Sequence, residues 1–290
     1  LQRLKIFEIA FSYLARNMHS DKRKGKIGIF DSGLGGLLIM RGIVKSLAEY
    51  DYVYLGDTAR VPYGNRSKRT IYQFTEEAVR YLSGKGCELI IVACNAASAQ
   101  ALRKIQRSFL PRWHRSVRVL GVVVPTLEEV FDIKGSRIGV LATQGTVDSS
   151  VFTKELRKIN PKAKIFEQSA PLLVPLIEHD GLRWSGPILR FYIDPLLKKR
   201  IDTLVLGCTH YPVLKHTIRN MVGKGVRVIS QDEIIPKKLN EYLVRHPEIE
   251  KRLHRNRGRT FIVSDMTDHF RNRARKWFGN HVTLKMVKYY

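Results

Sequence analysis

Nine short apolar runs limit what this chain can fold into more than any other feature of its sequence. They are 26–30 (KIGIF), 52–55 (YVYL), 88–93 (ELIIVA), 117–121 (VRVLG), 137–141 (RIGVL), 163–167 (AKIFE), 202–206 (DTLVL), 226–229 (VRVI) and 260–263 (TFIV). Several are continuous rather than alternating, the pattern of strands covered on both faces. Between them lie periodic stretches such as 67–84 and 96–109, which suit amphipathic helices. Strands alternating with helices imply an α/β fold built on parallel sheets. In such sheets ligands bind beyond the carboxyl ends of the strands. The segments to inspect are therefore DSGLGG (31–36), GDTARVPYG (56–64), CNAAS (94–98), ATQGTVDS (142–149) and GCTHYP (207–212).

Two of these strand ends deliver a cysteine followed by polar residues, Cys94-Asn95 and Cys208-Thr209-His210. A single cysteine is most often a small apolar filler, and Cys87, on the segment entering its strand, reads that way. The repetition at 94 and 208 is a stronger signal. Three cysteines are a sparse, odd set, which argues against a disulfide framework and for a reducing, cytoplasmic setting. Cys208 and His210 lack a second compact ligand pair at zinc-finger spacing, so no metal site is expected. DSGLGG matches G-x-G-x-x-G incompletely and no Walker-type loop is present, so no nucleotide cofactor is expected. No run is long and apolar enough to span a bilayer.

The formal net charge of +25 is unusual, with basic residues crowding the first 26 positions and the last 45. Such a charge concentrates anions, whether nucleic acid, anionic surfaces or small acidic substrates. A solvated surface tuned to its ionic surroundings accounts for it equally well.

The strings IGIFDSGLGG, YLGDTARVPYG, VACNAAS, GVLATQGTVDS, PLLVPLIEHDG and LVLGCTHYPVL closely resemble, in the same order, the motifs of the glutamate racemases of the aspartate/glutamate racemase superfamily. The likeness runs from about residue 26 to about 243. A fainter match continues at RTFIVSDMTDHFRNRARKWFG (259–279). The resemblance implies a cofactor-independent amino-acid racemase that interconverts L- and D-glutamate and supplies D-glutamate for peptidoglycan synthesis. It implies two similar α/β lobes with the active site in the cleft between them: 26–116 and 229–290 as the first lobe, 117–228 as the second, and 1–25 as a basic extension. It leaves a homodimer open. Inversion at an α-carbon without a cofactor needs a base on one face and an acid on the other. By resemblance Cys94 and Cys208 are that pair, Asp31 assists the Cys94 side, and His210 with Glu178 assists Cys208. Asp31, Ser32, Tyr63, Gly64, Asn95, Ala96, Thr143, Thr209 and His210 take the substrate-contacting positions.

Two positions depart from the family pattern. The family usually has Cys-Asn-Thr where this chain has Ala96, so one possible hydrogen bond is absent, worth about 0.5–1.5 kcal/mol net. The familiar Ala-Cys-Pro is Ser-Ala-Pro at 169–171. Other two-cysteine racemases of the superfamily, for aspartate or hydantoins, are a second reading, against which DSGLGG and GCTHYP favour glutamate. One-cysteine decarboxylase relatives are disfavoured by the presence of both thiols. A nucleic-acid-binding protein on the same scaffold is a third reading, motivated only by charge; salt-sensitive retention on DNA without racemisation would mark it.

Ahead of the motifs, Leu4, Phe7, Phe11 and Leu14 recur at helical spacing, with Arg3, Lys5, Glu8 and Arg16 around them. The stretch lacks a clear cleavage site and reads poorly as a secretory signal. A stripe of only about four turns usually needs a packing surface, so docking or dispensability, with Met18 as an alternative start, is favoured over membrane binding. Removal of residues 1–17 is expected to leave racemisation largely intact. A folded truncation without activity, assayed by chiral analysis, would show that the segment supports the catalytic body.

Overall fold

A computed structural model describes residues 25–114, 116–132 and 136–290; the stripe expected over residues 4–14 lies outside them. Among the described residues, ten strands form two wholly parallel sheets. In the first, the order is β10 (Leu284–Met286), β9 (Arg259–Val263), β2 (Tyr52–Gly56), β1 (Lys26–Asp31), β3 (Cys87–Val92) and β4 (Arg118–Gly121). In the second it is β6 (Lys164–Ser169), β5 (Arg137–Ala142), β7 (Thr203–Gly207) and β8 (Arg227–Ser230). All nine apolar runs of the sequence appear as strands, and β10 is an addition.

The apolar strands have the two-sided burial that their composition requires. Along β3, Leu89 and Ile91 face one core cluster while Ile90 and Val92 face another, the period-two alternation of a pleated strand. Helix α1 (Gly36–Ser46) covers the first face with Leu37, Ile39, Met40 and Ile43, and α2 (Lys68–Gly84) covers the second with Ile71, Ala78, Val79 and Leu82. Each of these side chains except Ala78, fully buried, contributes about 1.5–3 kcal/mol before chain entropy is counted. Ser67 caps α2 by accepting from the Thr70 N–H, which fixes where that helix begins.

Helix α3 (Asn95–Gln100) follows Cys94, and the helix expected over 96–109 is broken rather than continuous. Ala101 leaves the regular path, Leu102–Lys104 resumes it, and Ile105–Phe109 forms a widened π turn before Leu110–Trp113. Pro111 has no N–H to return to the Arg107 carbonyl, which favours irregularity just there.

In the second lobe α4 (Val123–Asp132), α5 (Gln144–Ser149) and α6 (Val151–Ile159) lie among the first connections. Leu127, Val130, Phe152 and Leu156 pack on one sheet face. Further on are α7 (Leu173–Glu178), α8 (Ser185–Lys198) and α9 (Lys215–Val222), with Leu189, Ile193 and Leu196 packed on the other face. Helices α10 (Gln231–Arg245) and α11 (Asp268–Phe278) return the chain to the first sheet. One core cluster runs from Ile27 and Leu37 through Leu204 and Leu206 to Trp277, so the two sheets share apolar packing. No helix among the described residues is long and apolar enough to cross a membrane.

The boundary expected at residue 117 needs correction. Strand β4 pairs with β3, Leu89 against Arg118 and Val92 against Gly121, and so closes the edge of the first sheet. The chain passes to the second lobe after Gly121, through α4.

Strand order places the site. From β1 the chain goes to β2 on one side and then to β3 on the other; from β5 it goes to β6 and then to β7. Each reversal opens a crevice at the carboxyl ends, the usual binding place in parallel sheets. Asp31 and Cys94 emerge at the first crevice, Thr143 and Cys208 at the second.

Helices α1 and α10 cross very closely at Gly42, where an added Cβ would overlap the backbone carbonyl oxygen of Asp232 and press on Pro236. Gly42→Ala is therefore expected to destabilise the protein by a net of about 1–2 kcal/mol, overpacking outweighing the gain in helix propensity. A urea midpoint lowered at unchanged m value would bear this out. An unchanged midpoint would contradict the close crossing.

Candidate active site

Cys94 and Cys208 each follow the last residues of a central strand, β3 and β7. Both are nearly buried, 6 % and 7 % exposed, and both are free thiols. They lie near enough for charge on Cys208 to push the Cys94 thiol up. Burial is the main cause of the upward shift of Cys94, to about 12, with the negative charge of Asp31 adding to it; the Ser32 hydroxyl and the Ala97 peptide N–H oppose it. The Cys94 Sγ contacts Ser32 Oγ at 3.4 Å. This cysteine is a neutral thiol in the resting site.

The surroundings of Cys208 are different. Its Sγ lies 3.8 Å from His210 Nδ1, and His210 Nε2 lies 2.7 Å from Glu178 Oε1. Burial alone would discharge the imidazole, but its bonds to Cys208 and Glu178 outweigh that cost and raise its pKa from 6.5 to about 10. Burial pushes Glu178 up, yet the same pairing prevails and holds it below the usual carboxylate range. A protonated ring at neutral pH therefore links the Glu178 carboxylate to Cys208.

The glycines of DSGLGG are explained by space. None of them has a positive φ, so a turn of unusual conformation does not require them. A Cβ on Gly35 would stand 2.5 Å from Thr209 Oγ1 and 2.7 Å from His210 Nδ1. A Cβ on Gly36 would stand 2.6 Å from Asp31 Cβ. The loop after β1 thus lies directly on the loop after β7. Asp31 is fully buried there, and its Oδ2 accepts the Gly33 N–H at 3.0 Å. Burial raises its pKa, opposed by the charge of His210 and by the peptide N–H groups of Gly33 and Gly36.

The remaining expected residues are placed as follows. Thr209 is buried beside Gly35. The Tyr63 hydroxyl donates to Asp57, and its ring is buried against Phe30 and Phe74. The peptide groups of the Tyr63–Gly64 turn are what that segment can offer. Gly64 packs on Thr143, where an added Cβ would lie 3.2 Å from the threonine Cβ, so this turn also spans the two lobes. Thr143 Oγ1 is paired with Thr146 Oγ1 at 3.1 Å. Ala96 is buried, and the Asn95 carboxamide is paired with Gln231.

Sequence reasoning missed the contribution of α11. Thr267 caps this helix, its Oγ1 accepting the Phe270 N–H. Arg273 then donates to the Glu178 carbonyl and to Asp180, at 3.0 Å for the latter. Trp277 packs edge-on against His210, with ring centroids 5.6 Å apart. The signal was the faint tail match at 259–279, which named no roles. A separate cavity of about 870 Å³ opens between α3, α4 and α10 beside Gln100, Pro125 and Tyr242; neither thiol lines it. No cluster of three or more His, Cys, Asp or Glu among the described residues is placed to hold a metal.

Because the fold raises the His210 pKa, its stabilising effect is full below the unfolded value of 6.5 and is lost as the pH rises through about 10. Glu178→Gln is expected to bring the titration midpoint of His210 down, since one of its two partners is removed. Nuclear magnetic resonance of the ring between about pH 6 and pH 11 reads this directly. A midpoint unmoved by the substitution would contradict the ion-pair account.

Residues 27–235 match the Asp/Glu/hydantoin racemase family. A glutamate racemase from Aquifex aeolicus is 41% identical over 221 residues, covering 75% of this chain and 83% of that protein. The structure of a glutamate racemase isoform from Bacillus anthracis superposes with a TM-score of 0.83 at 31% identity, covering 91% of this chain and 97% of that one. A glutamate racemase from Francisella tularensis in complex with D-glutamate superposes with a TM-score of 0.82 at 29% identity, covering 92% and 98%. With its paired parallel sheets and its motifs at their carboxyl edges, the chain belongs to the Asp/Glu/hydantoin racemase family and, within it, to the glutamate racemases, which are amino-acid racemases of the isomerase class.

Proposed function

We propose that this protein interconverts L- and D-glutamate by moving the α-proton between two thiols, Cys94 and Cys208. The observation that carries the reading is their placement. Each ends a central strand of a different sheet, each is buried, and each has its own set of partners. In one direction a thiolate removes the α-proton, the electron pair passes into the adjoining carboxyl group, and the opposite thiol returns a proton to the other face. In reverse the roles exchange.

The partners account for this asymmetry. The His210 imidazolium offers Cys208 a counter-charge, while Cys94 rests as a thiol able to give a proton. Asp31, with its raised pKa, assists the Cys94 side, and Glu178 keeps His210 charged. The first N–H groups of a helix have no partner within it, and Asn95 and Ala96 open α3, so their N–H groups are the ones we assign to a substrate carboxylate. Ser32, Thr209 and the Tyr63–Gly64 and Thr143 turns supply the further polar contacts. The complex of the Francisella tularensis relative with D-glutamate supports the choice of substrate. Supply of D-glutamate for peptidoglycan synthesis is the role we assign to it, and three free cysteines support a reducing, cytoplasmic setting.

Purified protein incubated with L-glutamate, followed by chiral chromatography, tests the reading. Cys94→Ala and Cys208→Ala are each expected to lower turnover by about 10³-fold or more, because one face loses its acid or base. Cys87→Ala, distant from this chemistry, should retain activity. Near-normal racemisation by either of the first two variants would overturn the two-thiol assignment.

A further inference from the structure

Asn95 follows Cys94 directly, and its carboxamide is held by a residue from another part of the chain. Asn95 Nδ2 donates to Gln231 Oε1 at 2.7 Å, and Gln231 Nε2 donates to Asn95 Oδ1 at 2.9 Å. The two amides thus close a two-bond ring. Gln231 Nε2 also reaches Thr126 Oγ1 at 3.3 Å, and that hydroxyl donates to the Val122 carbonyl at 2.6 Å. Gln231 and Thr126 are fully buried, and Asn95 nearly so.

Nothing about packing shape tells one end of a carboxamide from the other; only its hydrogen-bond partners do. Gln231 therefore decides which way the Asn95 amide faces. One Nδ2–H and one Oδ1 lone pair of Asn95 stay outside the ring. Gln231 is the first residue of α10, directly after β8, and α10 packs on both α1 and α4. The turn carrying Cys94 is consequently tied to the second sheet by a directional bond pair as well as by apolar contact.

We propose that Gln231 is a positioning residue for the Cys94 half of the site, acting through Asn95 to fix the orientation of the strand-to-helix turn that presents the thiol. The proposal rests on the reading of Cys94 as one of two acid–base thiols. Displacement of a reacting group by a fraction of an ångström lowers turnover with little effect on affinity, so a split between kcat and KM is its mark.

The test compares wild type, Gln231→Leu, Asn95→Ala, the double variant and Gln231→Glu with L- and D-glutamate, the folded fraction of each being measured by circular dichroism. Gln231→Leu is expected to lower kcat about tenfold with KM within about twofold. The double variant should be no slower than Asn95→Ala alone, because both substitutions break the same ring. Gln231→Glu adds a readout that a purely structural role would not move. As a carboxylate it sets an acceptor oxygen against Asn95 Oδ1 where the wild type has a donor, whereas protonated it donates there and restores the ring. Its activity relative to wild type should rise as the pH falls from about 8 to about 6, burial raising the carboxyl pKa. Additive losses in the double variant, a ratio flat with pH, or a rate loss equal to the loss of folded protein would each overturn the proposal. A wild-type protein unable to racemise glutamate would instead remove the reading on which it rests, and the proposal with it.

Discussion

The site depends on one steric constraint: the loop after β1 and the loop after β7 touch so closely that Gly35 has no room for a methyl group. Thr209 Oγ1 and the His210 ring occupy the space a Cβ would need. That contact joins the carboxyl edges of two separate sheets, and it is why two thiols about 114 residues apart in sequence become parts of one centre. A shared apolar core beneath the loops, from Ile27 to Leu206, holds the edges together.

On this frame the two halves are electrostatically unlike. Around Cys94 stand a buried acid and a hydroxyl, Asp31 and Ser32, and the thiol keeps its proton. Around Cys208 stands a chain of charge, from Glu178 through His210, clasped from outside by Arg273 and Trp277. Burial makes each of these groups costly when unpaired. The residues of α11 therefore brace the charged side of the centre.

Most of the fold was legible because its signal is local. Continuous apolar runs such as Leu89–Val92 announce a buried parallel strand by composition alone. Strand β10 escaped notice because it has three residues, two of them exposed. Strand β4 joins the first sheet through its pairing with β3, a long-range choice that no local pattern encodes. At the site, Cys94, Cys208, Asp31 and His210 stand in strand-end motifs and could be read directly. Gln231 and Arg273 could not, since each joins this region through a contact made only in the folded chain. Tyr63 stands in a motif, while the hydrogen bond of its hydroxyl to buried Asp57 is a contact of the folded chain.

The most direct measurement of the central claim follows hydrogen at the α-carbon. L-Glutamate is given to the wild-type protein in deuterated water, and both enantiomers are analysed during the first few per cent of conversion. Two thiols on opposite faces predict deuterium at Cα of the newly formed D-glutamate, with the recovered L-glutamate still carrying its original hydrogen. D-Glutamate that retained the original hydrogen, or L-glutamate labelled as fast as its enantiomer forms, would mean a single group serves both faces and would contradict the account.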